Sequence, residues 1–482
     1  MLFNSIDFAI FLPIVFVLYW FVNNNNLKLQ NFIIIVASYL FYGWWDWRFL
    51  SLIIFSTLID FSIGNLLNKE KEELKRKVYL WTSIIINLGF LGFFKYYNFF
   101  VDSFVNAFTF LGKDIEVSSL NIILPVGISF YTFQTLSYTI DVYRKQLDPT
   151  KDILAFSAFV CFFPQLVAGP IERASNLLPQ ILKKRKFSFN QGSDGLKLIL
   201  WGLFKKLVIA DSLSPIVDDI FNNSETYSSS TLFMGAVFFA FQIYGDFSGY
   251  SDIAIGTSKL FGIELMSNFK FPYFSRNIGE FWRKWHISLS SWFKDYLYFP
   301  LGGSRGSKFQ AIRNIFTVFL VSGFWHGANW TFVIWGLFHA ILFLPSFITK
   351  SNRKFLDSIN ILKSVKSFFI DGYRFIQTFL LITIGWVFFR SNTITDAFHY
   401  LKRMLFTFNA ELYLHPRGYR MIDYFILIAF FVFYEYIIRE DERKPFNFKS
   451  KYIRFLAYVL IIFSFLLFYD DGLDRSFLYF QF

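Results

Sequence analysis

Ile315-Phe316-Thr317-Val318-Phe319-Leu320-Val321-Ser322-Gly323-Phe324-Trp325-His326-Gly327-Ala328-Asn329-Trp330, continued without interruption to Thr349, contains no Asp, Glu, Lys or Arg. A charge-free apolar run of this length reads as a long membrane span. One ionisable group lies inside it. His326 stands 11 residues into the run, about 16 Å along a helix that rises roughly 1.5 Å per residue, which places it near the midplane of a hydrocarbon layer about 30 Å thick. An ionisable side chain at that depth is a functional candidate. A histidine satisfied by an interhelical hydrogen bond is the structural alternative, and the run alone leaves both readings open. Gly323 and Gly327 flank His326 at a spacing that lets another backbone come close. His339 lies 13 residues further on, projects from another side of the helix, and reads as structural.

The rest of the chain has the same character. Of its 482 residues, 55% are hydrophobic and the mean hydropathy is +0.42, more than a soluble domain with a polar shell carries. The 71 Phe and 13 Trp read as lipid-facing bulk and interfacial anchors. The net charge of +12 reads as cytoplasmic loops facing anionic lipid; no nucleic-acid-binding module is visible. The single cysteine, Cys161, sits in an apolar run and excludes a disulfide framework. Met1–Phe8 has no basic residue, so the first apolar stretch, Phe8–Val22, reads as a retained span and not a cleaved leader.

Further spans are expected from near Gln30, Phe49, Tyr79 and Asn98, in a broken set between Leu120 and Val167, and over Leu196–Ala210, Leu232–Ile255, Phe375–Phe389, Tyr424–Ile438 and Phe455–Tyr469. All belong to one membrane domain, residues 1–482. The basic clusters at Lys69–Lys77, Lys183–Lys186 and Arg439–Arg454 mark cytoplasmic loops. Both termini then fall outside the cytoplasm, and the acidic tail Asp470-Asp471-Gly472-Leu473-Asp474-Arg475 agrees with an outer location.

A second cluster runs Phe281-Trp282-Arg283-Lys284-Trp285-His286-Ile287-Ser288-Leu289-Ser290 and on to Pro300. Trp285, Leu289, Trp292, Phe293 and Tyr296 make one apolar face at helical spacing, as in a re-entrant or interfacial helix beside a cavity. The Gly-rich basic loop Leu301-Gly302-Gly303-Ser304-Arg305-Gly306-Ser307-Lys308 follows. Its backbone N–H groups with Arg305 and Lys308 suit a phosphate-bearing donor, and a solvated turn is the plainer reading. Gln134, Asp141, Gln165, Glu172, Arg173, Asp246 and Asp252 also lie in or beside apolar stretches, where each could line a path.

Five blocks occur in the order of a known family: Leu124–Gln134, Phe163–Ile171, Tyr244–Asp252, the Trp-His-x-Ser-Leu-Ser block at Trp285 and the Phe-Trp-His-Gly block at Phe324. Over essentially its whole length the chain resembles the bacterial membrane-bound O-acyltransferases (MBOAT), in the branch that includes the alginate acetylation membrane protein. The resemblance implies an all-α integral membrane fold, a ring of about 11–12 tilted transmembrane helices with re-entrant helices around a central funnel. It maps the family's invariant histidine to His326 and a supporting polar position to His286. It implies an acyl thioester arriving from the cytoplasm, here acetyl-CoA as substrate with no bound cofactor or metal. The acceptor would come from the opposite mouth.

The chain ends Phe477-Leu478-Tyr479-Phe480-Gln481-Phe482, which resembles a terminal Phe-x-Tyr-x-x-Phe motif of related acyl-transfer systems, where the tyrosine holds the acyl group. The longer form of that motif has an aromatic where this chain has Asp474. The implied activity is O-acetylation of an extracytoplasmic polysaccharide, alginate-like or peptidoglycan, at a bacterial inner membrane. His326 is the general base, Tyr479 is the acyl carrier, and a separate extracytoplasmic acetyltransferase is the partner. D-alanyl transfer to teichoic acid from a carrier protein, and a transporter or flippase, are the competing readings.

Overall fold

The computed structural model describes residues 1–22, 26–113, 117, 119–356, 365–468 and 477–478. Among these residues there are helices and connecting loops and no strand. The Cα framework divides into two compact units, residues 1–196 with 254–266, and residues 197–253 with 267–482.

The first unit holds α1 (Ile6–Val17), α2 (Leu27–Asp46), α3 (Leu50–Lys69), α4 (Glu73–Leu91), α5 (Tyr97–Phe110), α6 (Ile128–Tyr143), α7 (Ile153–Cys161), α8 (Phe163–Leu166), α9 (Ala174–Leu182) and the start of α10 (Phe189–Leu203). On α1 the buried face is Phe8, Phe11 and Val15, and the opposite face, Ile6, Ile10, Ile14 and Val17, is exposed yet equally apolar. A helix that is apolar all round and packed on one side only is what lipid requires. Polar contacts join α3, α4 and α6: the buried Asp60 carboxylate accepts from Ser83 Oγ (2.5 Å), Asn87 Nδ2 (2.9 Å) and Thr139 Oγ1 (3.1 Å). Such side-chain bonds hold helices together where apolar contact with lipid is no worse than apolar contact with protein.

The second unit holds the end of α10, then α11 (Asp211–Asn222), most of α12 (Ser229–Leu260), α13 (Ile278–Lys284), α14 (Ile287–Phe293), α15 (Lys308–His326), α16 (Trp330–Ile348), α17 (Val365–Arg390), α18 (Ile394–Phe406), α19 (Met421–Ile438) and α20 (Lys451–Phe468). Its interior is aromatic: Trp201, Trp285, Trp335, Trp386, Tyr244 and Tyr400 are fully buried. In the whole chain, seven described helical stretches are long and apolar enough to cross a membrane. Two of them, Leu27–Lys69 and Glu73–Phe110, each contain two of the spans expected from sequence. Leu196–Ala210 is not among the seven.

The run from Ile315 to Thr349 is not one span. A single helix of that length would reach about 50 Å, well beyond the hydrocarbon thickness. The chain breaks after His326, the last residue of α15. Gly327 is extended, and Asn329 caps α16 by accepting the Thr331 N–H at 3.0 Å. The two helices fold back on each other as a hairpin, with Gly323 against the carbonyl of Phe332 and Gly336 against the carbonyl of Phe319. A side chain at either glycine would collide with the facing backbone. His326 therefore stands at the tip of a helical hairpin and not midway along a span.

Candidate active site

His286 is placed by a short, constrained break. α13 ends at Lys284, Trp285 is extended, and His286 adopts φ 43° and ψ 55° before α14 begins. That left-handed conformation costs a non-glycine residue roughly 1–2 kcal/mol, so neighbouring contacts must hold it. Asn268 supplies them. Its backbone carbonyl accepts the Ile287 N–H at 2.9 Å, and its Oδ1 accepts the Ser288 Oγ hydrogen at 2.9 Å and the Ser288 N–H at 3.3 Å.

The same Oδ1 lies 3.0 Å from His286 Nδ1, while Asn268 Nδ2 donates to Ser251 Oγ at 3.1 Å. The amide oxygen is thus an acceptor, and Nδ1 must carry the proton that faces it. In the neutral ring, Nε2 then keeps its lone pair, which is the atom a general base uses. Phe247 meets the ring edge-on at 4.6 Å.

His326 faces this group. The ring centroids of His286 and His326 are 6.2 Å apart. Trp325 and Trp335 stand 5.1 Å from the His326 ring, and Phe389 stands 5.5 Å away. Both histidines are buried. Two imidazoles enclosed by aromatic rings make a buried site whose ring nitrogens have the chemistry to take up and return a proton. Among the described residues no group of three His, Cys, Asp or Glu side chains is placed to hold a metal ion.

A cavity of about 770 Å³ lies beside the hairpin. Ser322, one helical turn before His326, lines it, as do Trp282, Ser304 and the three cations Arg283, Lys294 and Arg353. Arg305 and Lys308, the sequence's candidates for the phosphate, are exposed. Lys308 begins α15 and His326 ends it, about 27 Å apart along the helix. Of the expected site residues, His286 and His326 come together, Arg305 and Lys308 stand at the far end of α15, and Tyr479 lies outside the described residues. The tail segment 470–475 lies outside them too, but Phe477 and Leu478 are described and buried.

The remaining polar residues have structural partners. Gln134 and Gln165 both donate to the Phe159 carbonyl. Glu172 accepts from Asn176 Nδ2 and from the Met266 N–H. Asp252 pairs with Lys205 at 2.6 Å. Asp246 lies 2.7 Å from Lys206, which lies 2.6 Å from Asp211. His339 packs between Trp282 and Trp335, at 5.0 and 4.7 Å, and neither of its buried ring nitrogens has a hydrogen-bond partner among the described residues. Asn268 and Lys206 were missed from the sequence. Asn268 sits in a loop with no periodicity, and Lys206 follows Lys205 in what reads as an ordinary basic pair. Ser288 was visible in the Trp-His-x-Ser block, although its role was not.

Known proteins place this geometry. The model of the membrane-bound O-acyltransferase family matches residues 143–389, which include both histidines. A protein of Azotobacter vinelandii named as a probable alginate O-acetylase is 38% identical over 84% of this chain and 78% of its own length. The Helicobacter pylori peptidoglycan O-acetyltransferase is 35% identical over 84% of this chain and 80% of its own. The Bacillus subtilis teichoic acid D-alanyltransferase is 29% identical over 49% of this chain and 62% of its own. With its family blocks in order and its two histidines facing each other in a buried aromatic site, the chain belongs to the membrane-bound O-acyltransferase family.

Proposed function

We propose that this enzyme takes an acetyl group from acetyl-CoA on the cytoplasmic side of a bacterial inner membrane and delivers it outside for O-acetylation of a polysaccharide. The observation that carries the reading is the buried pair His286–His326 beside a cavity lined with cations. The cations Lys294 and Arg353 suit the phosphates of a CoA thioester, Arg283 braces the same wall through the carbonyls of Asn352, Lys354 and Phe355, and Ser322 on that wall stands one helical turn from His326. The full-length relatives named for alginate and peptidoglycan acetylation favour acetyl over D-alanyl as the group moved.

The chemistry follows from the groups present. A hydroxyl attacks the thioester carbonyl while His326 takes its proton, which a phenol with a reference pKa of about 10 needs at neutral pH. The carbon–sulfur bond breaks, and the thiolate leaves with the proton that the imidazolium returns. His286, with its Nδ1–H committed to Asn268, supports the second half of the proton traffic through Nε2. The hydroxyl is that of Tyr479, and its acetyl ester is then passed to an extracytoplasmic acetyltransferase and on to the polymer. The described residues just before Tyr479 support this choice: Phe477 packs at 5.8 Å on Phe247, whose ring also meets His286.

The test is thioester turnover by the purified protein. Acetyl-CoA should be consumed by the parent and not by His326→Ala, and an aminoacyl carrier protein should not replace it. Parent-rate consumption by His326→Ala overturns the role of His326. Preference for the aminoacyl carrier moves the enzyme to the D-alanyl reaction.

A further inference from the structure

Asp246 holds a contact that the chemistry above does not use. Its Oδ2 accepts the backbone N–H of Leu478 at 2.8 Å, across 232 residues of chain. Its Oδ1 lies 2.7 Å from Lys206 Nζ, which also lies 2.6 Å from Asp211 Oδ1. The three side chains are almost wholly buried, Asp246 at 2%, Lys206 at 5% and Asp211 at 7% exposure. Buried ions are tolerated only when their remaining lone pairs and protons find partners. Two carboxylates around one ammonium leave spare acceptor capacity, and a peptide N–H is the group that fills it.

The neighbouring side chains of α12 complete a receptor. Phe477 packs with its ring tilted 4.8 Å from Tyr250 and 5.8 Å from Phe247, and only 1% of it is exposed. An aromatic membrane anchor would face lipid and would need no buried carboxylate. Phe247 touches Phe477 on one side and His286 on the other, at 4.6 Å edge-on.

The geometry points to a peptide seat: Asp246, steadied by Lys206 and flanked by Phe247 and Tyr250, binds the backbone and aromatic side chain of the C-terminal segment and holds it against the wall of the histidine site. Asp246 is a positioning residue for acyl transfer. Its effect on turnover rests on Tyr479 being the acceptor; the seat itself does not.

The full-length protein in detergent tests both separately. Carboxypeptidase is applied to the free end, and intact mass records where digestion stalls and whether acetyl-CoA has acetylated Tyr479. Digestion of the parent should stall at Leu478. Asp246→Ala should let it pass Phe477 about tenfold faster and lower tail acetylation about tenfold, the scale of one charge-assisted hydrogen bond. Asp246→Asn, which keeps one carbonyl oxygen for the two donors Lys206 and Leu478 N–H, should restore part of the stall. Asp211→Asn, which disturbs Lys206 without touching Leu478, should leave it intact. Digestion of the parent as fast as Asp246→Ala overturns the seat, as does equal opening by Asp211→Asn. A stall that depends on Asp246 with no acetyl on Tyr479 keeps the seat and removes the acceptor reading. Tyr479 acetylation indifferent to Asp246→Ala removes the positioning role of Asp246 and keeps the acceptor reading.

Discussion

Asn268 orients His286: one amide oxygen accepts from the imidazole Nδ1 at 3.0 Å and from the Ser288 hydroxyl at 2.9 Å. The bond selects the tautomer and the face of the ring, as a partner of this kind does for metal-bound and catalytic histidines generally. Asn268→Ala should lower thioester turnover about 10–100-fold. It should also cost about 1–3 kcal/mol of stability, because Ser251 and Ser288 lose a buried partner. Asn268→Asp, which keeps the acceptor, should retain more activity. Steady-state turnover with a thermal melt on each variant checks this.

The hairpin that presents His326 depends on two glycines. Gly323→Ala and Gly336→Ala each add a methyl group against a facing carbonyl, Phe332 in one case and Phe319 in the other. Overpacking of this kind costs about 1–3 kcal/mol. Gly323→Ala should also depress turnover more than Gly336→Ala, since the displaced turn is the one that carries His326. Melting in detergent and turnover at saturating donor separate the two effects.

The three cavity cations should act on donor binding. On the proposed reading, Lys294→Ala and Arg353→Ala should each raise the KM for acetyl-CoA about threefold to tenfold with kcat little changed; Arg283→Ala should also lower the melting temperature, because its guanidinium donates to the carbonyls of Asn352, Lys354 and Phe355. The increase should shrink in high salt, where exposed charge pairs are screened. Arg305→Ala and Lys308→Ala should have smaller effects. Equal KM changes at all five positions would restore the basic loop as the binding surface.

Glu280 supplies the acid sensitivity of the frame around His286. Burial pushes its carboxyl up, but hydrogen bonds from Arg276 and the charge of Lys284 more than reverse this, so it ionises below its ordinary 4.5. With the folded pKa below the unfolded one, the unfolded chain binds more protons between the two values. The stabilisation is therefore complete above about pH 4.5 and is lost as pH falls through the folded value. Glu280→Gln should lose about 1–3 kcal/mol at neutral pH, since the half-buried Arg276 and Lys284 lose a charged acceptor, and should flatten the acid limb. A series of melting temperatures from pH 7 to pH 3 reads both.

The helical, membrane-crossing nature of the chain was legible in residue order, because the hydrophobic runs that lipid demands are local and need no partner. His326 and His286 stand out as candidates too, each inside a compact block of unusual composition. The hairpin at Gly327 was half-visible. Asn329 is a good helix cap and a charge-free run of that length overshoots a membrane, yet continuous hydropathy masks a turn made within it. Arg305 and Lys308 are phosphate candidates by local composition, in a Gly-rich basic loop, whereas the cavity beside the hairpin takes Arg283, Lys294 and Arg353 from three separate segments.

Sequence by itself determined that this chain lives in a membrane and which family it joins, and it picked out two candidate imidazoles, since those signals reside in contiguous residues. Only the tertiary structure decided what each imidazole touches. The proton on His286 is assigned by Asn268, 18 residues away, and the end of the chain is seated by a carboxylate 232 residues away. Hydrogen-bond partners and buried charges pair through space, and the order of residues along a chain carries no record of which distant side chain completes them.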